Sequence, residues 1–274
     1  MTWIKPTQPY LRRGDPLNQG VVGCWLMNEP TGPDTRDWSG RGNHATLVNG
    51  PTRVMTKMGR GIAFNGTSQY INVPVLTYSN ATPYSVAMWV LPTDLSNTGV
   101  FYCEASTLSI YPIFYLRQGD TPGSVVVYVR NLAETVKLNL ASTTLLSVNE
   151  PHSLVWTDHA GSGKLYIDGV LDATNFAYNP LGTYSMINAC FGVMKRAAPS
   201  RYWNGTLLNG ATYNRVLAPA EIRKLAGLRG DPFEQWRPVK RRRVYSVAGQ
   251  LAARRLANVP HHPFQTPRQP VTIC

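Results

Sequence analysis

The sequence predicts an all-β protein in which two antiparallel sheets stack as a sandwich, with one short helix towards the C-terminal end of the folded part. Short apolar runs bounded by turn residues recur along most of the chain, which is typical of strands. An Asp-Gly pair separates two of these runs, and 21 prolines and 23 glycines supply turns between the others. At 274 residues the chain can hold one large β domain with terminal arms.

The central hairpins are predicted most directly by the stretch that ends in Asp168-Gly169. An apolar run at 153–156 is followed by a turn at 161–163, and the alternation resumes at 164–167. A two-residue hairpin turn needs positive φ, which Asp tolerates and Gly adopts freely. We therefore interpret Asp168 as a turn residue rather than as part of a functional site.

The remaining elements follow in chain order. Residues 1–20 contain three prolines and few apolar residues at strand spacing, so we expect an extended arm that orders only against a partner. Strand signals begin at 21–27. The runs at 85–90 and 125–129 are apolar on both faces, as in a sandwich interior, whereas 135–140 alternates cleanly, as a strand with one solvated face does.

A short amphipathic helix is predicted to follow the last strand. Pro219 suits a first helical turn, and Glu221 suits the positive helix end. Ile222 and Leu225 then place an apolar stripe on one face before Gly227.

The net charge of +12 is concentrated in the last part of the chain. Residues 237–274 carry eight basic and no acidic side chains, while the preceding 236 residues carry 19 basic and 15 acidic ones. We therefore divide the chain into an N-terminal arm (1–20), a β domain (21–230) and a basic, proline-rich C-terminal arm (231–274). The basic run would suit phosphates, an acidic protein surface or anionic lipid, and the alternative is a solvated tail.

The C-terminal arm also offers apolar groups for a partner, by adding a strand to a sheet edge or by inserting an anchor. The predicted anchoring residues are Lys240, Arg241, Arg242, Arg243, Val244, Tyr245 and Phe264.

The four cysteines do not have the spacing of a disulfide framework or of a zinc site. Cys24, Cys103 and Cys190 lie in apolar runs and are predicted to be buried. Cys274, the last residue printed, is a candidate for an intermolecular disulfide. We expect no membrane association, because no run of 18 apolar residues and no signal-peptide pattern is present.

Several segments together resemble the laminin-G-like, concanavalin A-like jelly-roll domains. The resemblance covers about residues 21–228 and is carried, in the same order, by 37–51, 61–74, 84–90, the central hairpins and 203–217. It implies a jelly roll of two stacked sheets and, often, a glycan or protein ligand.

The resemblance also bears on calcium. Relatives that bind calcium place acidic residues where this chain has Ser68-Gln69 and Leu208-Asn209. Calcium prefers several carboxylate oxygens, so we expect no cofactor. The remaining candidates for a residual calcium site are Asp37 and Asn43.

An enzyme is not predicted. Related glycosidases use paired carboxylates on one strand, whereas the glutamates here, including Glu104 and Glu134, are isolated along the chain. We interpret His152 and His159 as surface or strand-end residues, because no nucleophilic motif accompanies them.

Two functional hypotheses remain, with a glycan hydrolase as a weaker third. A second resemblance, between residues 230–245 and the endings of phage-encoded laminin-G-like proteins, favours a virion structural protein on the head or tail surface. Its partners would be other virion proteins in a multimeric assembly, with cell-surface glycans as a further ligand and no specific nucleic-acid binding. The alternative is a stand-alone carbohydrate-binding lectin. For glycan stacking, the candidate aromatic residues are Trp38, Tyr111, Tyr178, Tyr184 and Trp203.

Overall fold

The computed structural model describes residues 5–6, 9, 12, 14–106, 111, 113–229 and 231–234, all within one compact unit. Its regular secondary structure consists of seventeen strands, one α-helix and a short 3-10 helix at Pro16–Asn18. The strands are β1 Val21–Trp25, β2 Asp34–Thr35, β3 Ala45–Val48, β4 Thr52–Thr56, β5 Gly59–Asn65, β6 Tyr70–Val73, β7 Tyr84–Pro92, β8 Val100–Ala105, β9 Ile113–Gln118, β10 Val125–Arg130, β11 Val136–Ala141, β12 His152–Asp158, β13 Ser162–Ile167, β14 Val170–Leu171, β15 Phe176–Ala177, β16 Asn188–Phe191 and β17 Asn204–Tyr213.

The strands form two antiparallel sheets, which confirms the predicted sandwich. Sheet A has nine strands in the order β14-β13-β12-β7-β17-β5-β4, with β1 paired to β17 and β15 paired to β13. Sheet B has eight strands in the order β11-β10-β9-β8-β16-β6-β3-β2. Neighbours in each sheet are often distant in sequence, as in a jelly roll.

The main core lies between the sheets. Its largest fully buried side chains include Trp25, Trp156 and Trp203. Trp25 meets Phe191 of the opposite sheet edge to face, with ring centroids 5.9 Å apart. Val86, Met88 and Val90 of β7 enter this core. Their neighbours Ala87 and Trp89 enter a second one, so the strand is buried on both faces as predicted.

The second core covers the outer face of sheet A. Helix α1, Pro219–Leu225, packs there through Ile222, which confirms the predicted helix. Glu221 accepts a hydrogen bond from the backbone N–H of Ala218 at 2.8 Å, which stabilises the first turn. Leu17 and Phe233, each 1% exposed, complete the cover.

The described part of the N-terminal segment packs against its own chain, so the prediction that it orders only against a partner is wrong for these residues. Leu17 is buried, and Asp15 pairs with Lys224 of α1 at 3.0 Å. Lys5 is 4% exposed. Single anchors such as these carry no periodic signal, which is why strand spacing did not show them. At the other end, Phe233 of the predicted C-terminal arm belongs to the body, and the predictions for residues 240–274 lie outside the described residues.

Asp168 and Gly169 form the predicted hairpin turn between β13 and β14, with φ values of 51° and 79°. Asp168 also accepts a hydrogen bond from the backbone N–H of Ser153 at 2.8 Å and contacts Nδ1 of His152 at 2.7 Å. His152 therefore begins β12 as a strand-end residue, but at 9% exposure it is not on the surface.

Strand β11 departs from its predicted alternation. Leu138 is 4% exposed, but Val136 and Leu140 are 49% and 39% exposed. β11 is the last strand of sheet B, paired on one side with β10. Its apolar side chains therefore have fewer neighbours to pack against than those of an interior strand.

None of the described helices is long and apolar enough to cross a membrane. The predicted burial of the three internal cysteines is confirmed, because Cys24, Cys103 and Cys190 are all buried with free thiols. Cys103 and Cys190 lie directly opposite each other on β8 and β16.

Candidate functional site

The outer face of sheet B carries a row of residues that crosses most of the sheet. Directly paired residues on neighbouring antiparallel strands point to the same face. Following the pairing from β10 to β3, the row consists of Tyr128, Tyr115, Cys103, Cys190, Asn72 and Thr46. Their chain neighbours, such as Val127 and Phe191, face the core. The row therefore lies on the side of sheet B that faces away from sheet A.

The loop after β16 covers the middle of this row. Met194 packs against Val100, Cys103 and Tyr115 in a small apolar cluster. The next residue, Lys195, reaches Asn72 on β6. Towards β6 and β3, the loop and the sheet enclose an open cavity.

The cavity has a volume of about 320 Å³ and a mixed lining. Its apolar side includes Leu76 and Ile187, which are 41% and 53% exposed. Its polar side includes His44, Asn72, Asn188 and Lys195. Exposed apolar side chains beside a few convergent polar groups are typical of a small-ligand site.

The polar groups of the cavity are held by a short network. Lys195 Nζ donates to Oδ1 of Asn72 at 2.8 Å and lies 5.2 Å from the ring centroid of Tyr70. Oδ1 of Asn72 is thereby fixed, and within the described part of the chain its Nδ2 has no acceptor. Nδ1 of His44 accepts from the backbone N–H of Asp37 at 3.1 Å, so a neutral His44 carries its proton on Nε2. The site therefore presents hydrogen-bond donors.

The five aromatic residues predicted for glycan stacking are not brought together. Trp203 is fully buried between Phe64 and Phe101 in the main core, so it cannot stack on a ligand and that prediction is corrected. Trp38 is half-buried near the core on the outer face of sheet A, with the guanidinium of Arg36 4.6 Å from its ring centroid.

The other three predicted residues lie in two places. Tyr111 is beside β10, where the guanidinium of Arg130 is 3.7 Å from its ring centroid. Tyr178 and Tyr184 are both half-buried and pack at the edge of the main core. The hydroxyl of Tyr178 donates to Asp158, and that of Tyr184 donates to the carbonyl of Pro180 at 3.0 Å. A stacking role for Tyr111, Tyr178 or Tyr184 stays a prediction.

Glu104 is the carboxylate whose environment resembles a catalytic acid most closely. Burial raises its pKa to about 7. It accepts hydrogen bonds from the hydroxyl of Tyr102 at 2.7 Å and from the backbone N–H groups of Thr77 and Tyr78 at 2.9 and 3.0 Å. Because Glu104 is 0% exposed, it cannot reach a glycosidic oxygen. Its position holds the loop before β7 against sheet B.

The side chains of the two candidate calcium ligands hold their loop together and connect it to β1. The carboxylate of Asp37 accepts from the backbone N–H groups of Cys24, Ser39 and Asn43 at 2.9, 2.8 and 2.9 Å. The side-chain amide of Asn43 donates to the carbonyl of Val22 at 2.8 Å. Over the ranges that the structure describes, no three His, Cys, Asp or Glu side chains are grouped to hold a metal ion.

Solved structures with the same fold come from several kinds of protein. Domain 4 of the arabinanase AbnA from Geobacillus stearothermophilus, in complex with arabinotriose, is 17% identical with a TM-score of 0.58, covering 75% of this chain and 98% of that one. The binding domain of Paraclostridial Mosquitocidal Protein 1 is 14% identical with a TM-score of 0.58, covering 77% of this chain and 53% of that one. Trypanosoma rangeli sialidase is 21% identical with a TM-score of 0.56, covering 76% of this chain and 32% of that one.

At these identities the likeness shows the fold, and for the last two proteins it spans about half or a third of their length. Among curated proteins, none matches this chain. The sequence profile of the Laminin_G_3 family, described as the concanavalin A-like lectin/glucanases superfamily, matches residues 65–223, more than half of the chain. The chain therefore belongs to this family of concanavalin A-like, laminin-G-like domains.

Proposed function

We propose that the protein is a non-catalytic glycan-binding module whose ligand lies in the cavity on the outer face of sheet B. The observation that carries this proposal is the pairing of donors on Asn72 and Lys195 with the exposed apolar side chains of Leu76 and Ile187. A sugar ring has hydroxyl groups at its edges and apolar C–H groups on its faces, so both linings have a partner. The arabinotriose on one structural neighbour supports this ligand class.

A glycan array on the full chain, followed by titration of the best ligand, tests this proposal. Asn72→Ala removes an amide donor and releases Lys195, and we expect it to weaken binding about tenfold, as for lost charge-assisted hydrogen bonds. Asn214→Ala is the matched control, because Asn214 is exposed, follows β17 of sheet A and does not line the cavity. Equal losses in both variants, or no loss in either, would place the ligand elsewhere. Absence of binding to every glycan would contradict the proposed function itself.

The absence of catalysis is part of the proposal. Glycosidases place two carboxyl groups on either side of the scissile bond within an open cleft. Glu104 is sealed within the core, and Glu134 is an exposed turn residue with a φ of 64°. We expect no turnover of any polysaccharide that the array identifies. Turnover abolished by Glu104→Gln or Glu134→Gln would show that the protein is an enzyme.

We further propose that the module is displayed on a virion, attached and multimerised through its basic C-terminal arm. The support is the sequence of that arm, with eight cations, no acid and the apolar residues Val244, Tyr245 and Phe264. A chain that ends before Arg237 should lose its association with purified particles, as measured by mass spectrometry. Full occupancy of particles by the truncated chain would contradict the anchoring role.

The alternative is a lectin that acts alone. In this hypothesis the glycan binds in the same cavity, but the protein has no virion partner. A stand-alone lectin would be monodisperse, would bind glycan equally well without the arm and would not co-purify with particles. A comparison of the full chain with the chain that ends before Arg237 therefore separates the two hypotheses.

A further inference from the structure

We infer that the ligand of this face is an acidic saccharide, whose carboxylate or sulfate groups are bound by four arginines beside the cavity. This inference rests on the proposed glycan-binding function and adds the class of glycan. The arginine cluster consists of Arg117, Arg130, Arg196 and Arg201. It surrounds the Tyr115–Tyr128 end of the row on sheet B.

Two tyrosines form the base of the cluster. Tyr115 and Tyr128 are paired across β9 and β10, and their rings stack in parallel with centroids 4.8 Å apart. The guanidinium of Arg130 lies 5.7 Å from the ring centroid of Tyr128 and 3.7 Å from that of Tyr111. The aromatic faces therefore orient a cation at this end of the sheet.

The other three arginines approach the same tyrosines. Arg117 lies on β9, two residues after Tyr115. Burial raises the pKa of Tyr128, and the nearby charges of Arg130 and Arg196 oppose this shift. Burial likewise raises the pKa of Tyr115, and Arg117 and Arg201 oppose it. Met194 of the loop that crosses the row packs with Tyr115 and pairs with Ser200. Arg196 and Arg201 lie within two residues of this pair in the chain, so the loop holds both cations near the tyrosines.

Three of these arginines, Arg117, Arg196 and Arg201, carry more positive charge than their described ion pairs neutralise. Among the described residues, Asp120 is the one carboxylate in hydrogen-bond contact with these three, 3.2 Å from Arg117. The Nε atoms of Arg117 and Arg196 are buried and have no hydrogen-bond partner in the described part of the chain. Because these two atoms are buried, an anionic ligand would be attracted by the charge of the guanidinium groups and bound where they are accessible, as on the exposed side chain of Arg201.

The geometry favours an acidic saccharide over a single-stranded nucleic acid. Guanidinium groups bind carboxylate and sulfate oxygens in a planar fork. Nucleic acids that bind without sequence preference need exposed aromatic faces on which bases stack. Here Tyr115 is 7% exposed and one of its faces is covered by Tyr128, so the cluster offers cations rather than a stacking platform.

The cluster and the cavity can serve one extended ligand. Lys195 lines the cavity, and the next residue in the chain, Arg196, belongs to the cluster. From Tyr128 on β10 to Asn72 on β6 there are four strand spacings, roughly 19 Å in all. An oligosaccharide of several units could therefore place one residue in the cavity and an acidic group among the arginines.

To test whether the protein recognises carboxylate groups, its binding to polygalacturonate is compared with its binding to the fully methyl-esterified polymer. To test whether it recognises sulfate groups, its binding to dextran sulfate is compared with its binding to dextran. The protein is the full chain with Lys240, Arg241, Arg242 and Arg243 changed to Gln, so that the arm does not dominate the binding of polyanions. We expect the acidic form of at least one pair to bind, and the double change Arg196→Gln/Arg201→Gln to weaken it about tenfold or more. Arg223→Gln, on the exposed side of α1 behind sheet A, is the matched control and should change nothing.

Three outcomes would overturn the inference. In the first, the acidic and neutral polymers bind equally. In the second, the double variant binds the acidic polymer as tightly as the control does. In the third, a single-stranded DNA oligonucleotide binds as tightly as the acidic polymer and is lost with the same arginines. If the array ligand is neutral and depends on Asn72 but not on Arg196, the proposed glycan function stands and the acidic class is wrong.

Discussion

Glu104 shows how one buried carboxyl group can make the stability of the fold depend on pH. Its pKa is raised by burial from 4.5 to about 7, so the folded protein holds a proton that the unfolded chain releases. Stability therefore falls as the pH rises from about 4.5 to about 7. A shift of this size corresponds to about 3 kcal/mol in the free energy of unfolding.

Glu104→Gln should flatten this pH dependence. Gln keeps an acceptor oxygen for the N–H groups of Thr77 and Tyr78 and does not titrate. Urea unfolding of the wild type, this variant and the exposed control Glu134→Gln, at about pH 5 and about pH 7.5, measures the effect. Parallel pH curves for the wild type and Glu104→Gln would show that Glu104 does not cause the dependence.

Lys5 makes a second buried polar contact that a single substitution can test. Its ammonium donates to the carbonyls of Leu26, at 2.9 Å, Arg60 and Leu208. Lys5→Met keeps the aliphatic stem but leaves these oxygens without their donor, so we expect a loss of about 2 kcal/mol in the free energy of unfolding. Lys57→Met, which removes an exposed ion pair with Glu150, should change it by less than about 1 kcal/mol. Similar values for the two would show that Lys5 does not anchor the N-terminal segment.

The candidate site was predictable at this scale only in part. Trp203 precedes Asn204-Gly205, a turn-like pair, yet β17 begins at Asn204 and the indole turns into the core. Asn72 and Lys195 were not identified from the sequence, because they are 123 positions apart and meet only through the pairing of β6 with β16. Nothing in the local sequence marks such a pair.

At the scale of elements, substitution of Gly169 in the Asp168-Gly169 hairpin can destabilise the fold in two ways, through backbone strain and through a steric contact with the end of α1. Gly169 and Gly42 share a φ of 79°, so Ala at either position has a similar backbone strain. A Cβ at Gly169 would lie 2.8 Å from Cβ of Ala226, just after α1, whereas a Cβ at Gly42 would meet nothing within 4 Å.

Gly169→Ala should therefore cost more than Gly42→Ala. The difference in the free energy of unfolding should be at least about 1 kcal/mol, as for an overpacked contact, measured by urea unfolding of both variants. Equal costs would show that the contact between the hairpin and the end of α1 relaxes without strain.

Elements were predictable where their own sequence sets their environment. β7 is apolar on both faces, and the structure buries both. β11 alternates in sequence, but its place at the edge of sheet B decides that Val136 and Leu140 stay exposed. Strand order depends on contacts between distant segments, so local periodicity does not encode it.

At the scale of the whole molecule, proteins of 14–21% identity share the fold, and within this chain the charges and the described core residues are distributed differently. The residues before Arg237 are close to neutral, with 19 basic and 15 acidic side chains. All the core residues that the structure describes precede that position. Stability and long-range electrostatics are therefore expected to reside in different parts of the sequence.

Removing residues 237–274 should leave the melting temperature unchanged to within about 2 °C, because every core residue that the structure describes is kept. The same truncation should lower the salt concentration at which the protein elutes from a cation exchanger, since eight of its 27 basic side chains are removed without any acid. Changing Lys240, Arg241, Arg242 and Arg243 to Gln in the full chain should reproduce about half of that shift, because this run holds four of the eight charges. A truncated chain that melts well below the full one would mean that the arm packs on the sandwich and contributes to its stability. In that case the arm would not be free to bind a partner without a cost to the fold.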